Sequence, residues 1–184
     1  MLVFRHTNYW YSWTGAPEDE HRDLLIPAGV APSLVPPPTL LTRFVRQEIP
    51  IPCPSDVIVR REWALEVGGF EERFRRIFTD QAFYAKVCLH RPVYVADKAW
   101  FKYRKHPHSA VAVVKARGEL LTARLDYLTW LSRYAREHGA SHDVRRTIRH
   151  ARWKAAHPWL WNFAAGTVGP AATAFKRAAT RRDE

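Results

Sequence analysis

The feature that most constrains this chain is a glycine pair followed by one helix pattern and two short apolar runs, spanning Gly68 to His106. Adjacent glycines accept left-handed backbone, so Gly68 or Gly69 suits the C-terminal end of the short helix expected over Glu62 to Val67. From Asp80 to Leu89 the apolar positions follow helical spacing, with Phe83, Val87 and Tyr84 turned to the core and Thr79 as N-cap. Pro92 to Ala96 and Lys98 to Arg104 then read as two strands. A helix leading into paired strands predicts an α/β fold. The layout can fold back so that Asp80 at one end and Arg104 and His106 at the other line one cleft.

The chain before this segment is mixed. Residues 2 to 13 are rich in Val, Phe, Tyr and Trp and read as one or two strands. Their aromatic cluster, Tyr9 to Trp13, serves either as a cross-strand pair on a half-buried sheet or as a flat wall for a sugar, with Trp10 and Trp13 as contacts. Gly15 to Pro38 is rich in turn formers. Glu18-Asp19-Glu20 follows Pro17 and reads as the acidic first turn of a short helix, since no apolar strand precedes it as a metal-binding D-x-D would need. Thr39 to Gln47 has helical spacing, Ile49 to Pro54 is a proline-rich connector, and Ser55 to Arg60 is strand-like.

After Pro107 the pattern becomes helical. Glu119 to His138 is a long amphipathic helix ended by Gly139, and Ser141 caps another reaching about His157. Ala164 to Ala179 forms a weaker helical piece. The expected organisation is therefore residues 1–110 as an α/β unit and 111–184 as a basic, Trp-rich helical region.

Charge narrows the partners. The net charge is +11, and from Arg145 to Glu184 nine Lys/Arg face two Asp/Glu. Such an excess favours phosphate-bearing partners: nucleotides, nucleic acid or anionic lipid. Cys53 and Cys88 are the two cysteines. They form no CxxC, fit a reducing cytosol and argue against a disulfide framework. The first residues do not form a signal peptide, and no apolar stretch reaches the roughly 18 to 20 residues of a spanning helix.

The order GGFEE, then an acidic position opening a helix, then YRKHPHS resembles the C-terminal half of family-2 inverting glycosyltransferases of the GT-A fold. The match covers roughly residues 50 to 110 and, more weakly, Val3 to Gly15. Thr79 stands where that family usually has a Glu. The resemblance implies transfer of a hexosyl group from a nucleotide diphosphate sugar to a hydroxyl of a saccharide or lipid-linked acceptor. It makes Asp80 the catalytic base, with Gln81 beside the acceptor and Gly68-Gly69 near the sugar. It places Arg104 at the diphosphate and His106 on a divalent metal, Mg²⁺ or Mn²⁺. The sequence contains neither the nucleotide-binding βαβ unit nor the D-x-D of such enzymes, so the expectation is a fragment or one part of a split enzyme, binding nucleotide-sugar poorly by itself.

A second reading comes from the tail. Trp153, Trp159 and Trp161 interleave with Arg145, Arg146, Arg149, Arg152 and Lys154, which suits a helix lying on an anionic membrane, peripheral at the inner face of the plasma membrane. A solvated basic face with Trp in the core is the alternative. Nucleic-acid binding is permitted by charge but adjoins no recognised motif.

Overall fold

A computed structural model describes residues 1–158. The fold is α/β. Two ribbons of chain run parallel. The first is β1 (Leu2–Phe4) and β2 (Thr7–Trp10); its neighbour is β6 (Val93–Val95) and β7 (Lys102–Arg104). β1 pairs with β6 and β2 with β7, so each ribbon passes from one small sheet into the next. The first sheet has the order β4-β6-β1-β5, with β4 (Ser33–Val35) and β5 (Ile58–Val59) antiparallel at its edges. The second has the order β3-β2-β7, with β3 (Leu24–Ile26) antiparallel to β2.

The break between the sheets has a cause in the side chains. Arg5 donates to the Lys98 carbonyl (2.7 Å), and its guanidinium lies over the Trp100 ring. That carbonyl is therefore satisfied without a strand partner. The strand predicted from Lys98 accordingly begins only at Lys102. Similarly, the strand predicted over Ser55 to Arg60 shrinks to β5. A 3-10 turn, Pro54–Asp56, precedes it, and Asp56 is fully buried there, accepting a hydrogen bond from Thr7 (2.6 Å).

Helices cover the sheets. The acidic α1 (Pro17–Glu20) is a single turn, as its proline and three carboxylates predict. In α2 (Thr39–Arg46), Leu40, Leu41, Phe44 and Val45 are all buried. The short α3 (Arg61–Glu66) ends as expected: Gly68 (φ 73°) and Gly69 (φ 61°) donate back to Leu65 and Ala64. Central to the fold is α4 (Thr79–His90), buried at every position from Ala82 to Leu89. A helix buried all round is an inner helix, and α4 packs against both α2 and α6 rather than turning one face to a core.

Thr79 is not the N-cap of α4. Phe78, in the left-handed region at φ 67°, holds that position, and the Thr79 hydroxyl instead donates to the Phe74 carbonyl. After α5 (Ala110–Ala116), α6 (Leu120–Glu137) packs on α4, and α7 (His142–Ala156) packs on α6 and α2. Ser141 caps α7, accepting from Val144 N–H. One apolar core runs from Leu2 to Ala155, continuous across residue 110. The predicted helical piece over Ala164 to Ala179 lies outside the described residues, as do Trp159 and Trp161. Among the described residues no helix is long and apolar enough to cross a membrane.

Candidate functional site

A cavity of about 220 Å³ opens where the second sheet meets the first turn of α4. The proline-rich connector Pro50 to Pro54 closes one side. Tyr9, Tyr103 and Lys105 come from the sheet, Arg5 and Thr7 from the break between the sheets, and Asp80 and Gln81 from α4.

Strand alternation decides which of the predicted residues enter it. Side chains alternate across a strand with a period of two. Tyr9 pairs with Tyr103 and Trp10 with Arg104. The Tyr9 and Tyr103 rings lie 5.8 Å apart and line the cavity, whereas neither Trp10 nor Arg104 does. Lys105, next in the strand's parity after Tyr103, also lines it, with its ammonium 4.2 Å from the Tyr9 ring centroid and 5.2 Å from that of Tyr103. His106 is absent from the lining.

Arg104, Trp10, Trp13 and His106 instead form their own surface cluster. The Arg104 guanidinium stands 5.7 Å from the Trp10 ring and 5.0 Å from the Trp13 ring. Trp13 donates to the Lys105 carbonyl (2.9 Å) and meets His106 edge-on at 6.5 Å. The turn holding Trp13 is built by Asp23, which accepts from the backbone of Tyr11 and Ser12 and from the Ser12 hydroxyl. The expected meeting of Asp80 with Arg104 and His106 in one hollow therefore does not occur; Lys105 occupies the cationic position.

Gly68 and Gly69 also lie away from the cavity. Their role in the fold is the helix end, and the Gly68 carbonyl sits 3.5 Å from the ammonium of Lys86. Lys86 is 1% exposed and pairs with Glu71 at 2.8 Å. The GGFEE motif thus supplies a helix stop and the counter-charge of a buried lysine.

Inside the cavity the electrostatics are set by burial. The Asp80 carboxylate accepts from the Gln81 N–H (2.8 Å), yet burial outweighs that bond and raises its pKa above the usual carboxylate range. Burial lowers the Lys105 ammonium and raises the Cys53 thiol and the Tyr9 and Tyr103 phenols. Behind the wall, burial raises Asp56 as well. One Asp56 oxygen accepts a hydrogen bond from the Thr7 hydroxyl, and the other has no hydrogen-bond partner. The cavity thus offers a carboxylate of raised basicity, a desolvated cation and two aromatic faces.

Among the described residues no three His, Cys, Asp or Glu side chains converge as a metal site, and the ring found beside His106 is that of Trp13.

Sequence reasoning did not select Tyr103, Lys105, Cys53 or Arg5. The alternation of Tyr9 with Trp10 and of Tyr103 with Arg104 was the available signal: choosing one parity for the site fixes which residues join it. Gly29 lies behind the wall, next to Ala28 of the lining. Its φ is 75°, and a Cβ there would stand 2.6 Å from Ile49, whose neighbour Pro50 lines the cavity.

Searches of family models, curated proteins and solved structures found no match to this chain.

Proposed function

We propose that this cavity receives a single sugar ring whose hydroxyl is deprotonated by Asp80 during glycosyl transfer. The observation that carries the reading is a half-buried carboxyl of raised basicity in the first turn of α4, lining the same cavity as two tyrosine rings. Aromatic rings cover the apolar faces of pyranoses. A carboxylate whose pKa lies closer to the operating pH is a better general base. At about 220 Å³ the space falls below the roughly 300–1,000 Å³ of pockets for larger ligands, so it suits one ring and not a nucleotide-sugar.

The chemistry is a single displacement. The acceptor oxygen attacks the anomeric carbon of a nucleotide diphosphate sugar as Asp80 takes its proton. The bond from that carbon to the diphosphate oxygen breaks, and the diphosphate leaves with the electron pair, inverting the centre. Lys105 supplies positive charge near the cavity, the part first expected of Arg104. The finer identity, a partial GT-A-like domain of family-2 type, is part of this proposal and rests on the GGFEE, Asp80 and YRKHPHS resemblance.

The test is ligand-observed NMR on the full chain with simple hexosides, with UDP- and GDP-hexoses alongside. Saturation should reach hexose ring protons and not the nucleoside protons. It should be lost in Tyr103→Ala and retained in Arg104→Gln. Absence of hexoside contact, or contact unaffected by Tyr103→Ala, would remove the proposal.

A further inference from the structure

A larger concavity lies among α2, α6 and α7. It has a volume of about 1050 Å³ and is lined from the C-terminal end of α2, the start of α6 and the length of α7. Its cations come from all three helices: Arg46 from α2, Arg124 from α6, and Arg146, Arg149 and Lys154 from α7, with Asp143 the acidic residue in the lining.

The sequence builds this surface by periodicity. On α7, Val144, Thr147, Ile148, Ala151 and Ala155 are buried. The outward stripe is Arg146, Arg149, His150 and Trp153, spaced i, i+3, i+4, i+7 along the helix. Trp153 is 47% exposed, and Leu121 of α6, in the same lining, is 42% exposed. Two of the arginines are anchored: Arg124 donates to the Val45 carbonyl and Arg46 to the Thr147 hydroxyl, both at 3.3 Å.

We propose that this groove is a docking surface for a membrane bearing anionic phospholipid, with the arginines on headgroup phosphates and Trp153 and Leu121 in the interface. Charge complementarity selects an anionic partner. The apolar rim selects among anions, because a dissolved phosphate gains nothing from an exposed indole and leucine, whereas a bilayer surface accepts both. Residues 159–184 carry four Lys/Arg against two Asp/Glu, so they too bring a net positive charge. The inference is independent of the sugar site.

Vesicle flotation of the full chain tests it. Vesicles of phosphatidylcholine containing phosphatidylglycerol should carry the protein up the gradient, pure phosphatidylcholine vesicles should not, and added salt should release it. Arg146→Gln with Arg149→Gln should lower partitioning roughly thirtyfold, from about fivefold for each arginine near the surface. Trp153→Ala should lower it further at constant charge. Arg61→Gln with Arg117→Gln, an equal charge change at exposed positions outside the groove, should leave most binding intact. Circular dichroism checks that each variant is folded. Equal binding to neutral vesicles would overturn the proposal, as would equal losses from the two arginine pairs. A salt-dependent shift of duplex DNA or a pyrophosphate titration signal, without vesicle binding, would also overturn it.

Discussion

Asp80 and Asp56 hold their protons more tightly in the folded chain than an exposed aspartate does, because Asp56 is buried and Asp80 half-buried, and loss of water disfavours the charged form of each. The sign of the linkage follows. Their contribution to stability is complete below the unfolded value of about 3.9 and is lost as pH rises through the folded values. Asp80→Asn keeps an acceptor for the Gln81 N–H and carries no charge. It should therefore melt higher than the parent at about pH 7, with the difference closing on acidification towards the unfolded value. Melting curves across pH check this, and an unchanged gap would show that Asp80 is not desolvated. If sugar binding needs the Asp80 anion, its acid limb should lie above the ordinary carboxylate range and disappear in the same variant. Lys86 gives the opposite kind of residue-scale effect. Glu71→Gln strands a buried ammonium, which costs about 3 kcal/mol in the manner of a broken buried pair. Lys86→Met removes the buried charge itself and leaves Glu71, whose side chain is 28% exposed, in reach of water, so it should cost less. Urea titration of the two variants ranks them.

At the scale of elements, the decisive fact is parity in β7. Lys105→Gln should weaken hexoside binding by about tenfold, roughly 1.4 kcal/mol, while Arg104→Gln should change it less than twofold. Chemical-shift titration of each variant would decide, and equal losses would mean that the strand's two faces share the site. Parity also explains what was legible beforehand. Helices α2, α6 and α7 follow from apolar spacing because each has one buried stripe. The glycine stop after α3 follows from backbone freedom alone. The edge strands β3 and β4 were not legible, since Leu24, Leu25 and Leu34 stay exposed and carry no alternating signal. Asp80 could be singled out by its place at a helix start. Arg5, Thr7 and Cys53 could not, because they are brought there by the break between the sheets and by the proline connector. Neither leaves a periodic trace. The Phe78 cap was hidden for a related reason: a left-handed phenylalanine is imposed by packing against Tyr127 at 5.1 Å, not by its own preference.

Across the whole molecule, one column of rings ties the helical C-terminal part to the α/β part. On α6, Tyr127, Trp130 and Tyr134 stack in succession, and His138 follows at 3.8 Å from Tyr134. Phe78 stacks on Tyr127, and Phe74 meets Trp130 edge-on at 5.5 Å. Phe74 and Phe78 belong to the segment that leads into α4 and aims Asp80. The first turn of α4 is thus positioned by α6, and the Tyr127 hydroxyl also reaches the Gln81 carbonyl at 3.4 Å. A polypeptide ending at residue 110 would expose both phenylalanines and much of α4, so it should not adopt the native fold, and its amide spectrum should be poorly dispersed. In the full chain Trp130→Ala should cost about 3–5 kcal/mol, the usual loss for a buried large ring. Because the core is continuous, that loss should lower the unfolding midpoint equally by far-UV and near-UV circular dichroism. Two separated transitions would mean that the sheets and the α6–α7 pair unfold independently. The aim of Asp80 would then owe nothing to the ring column.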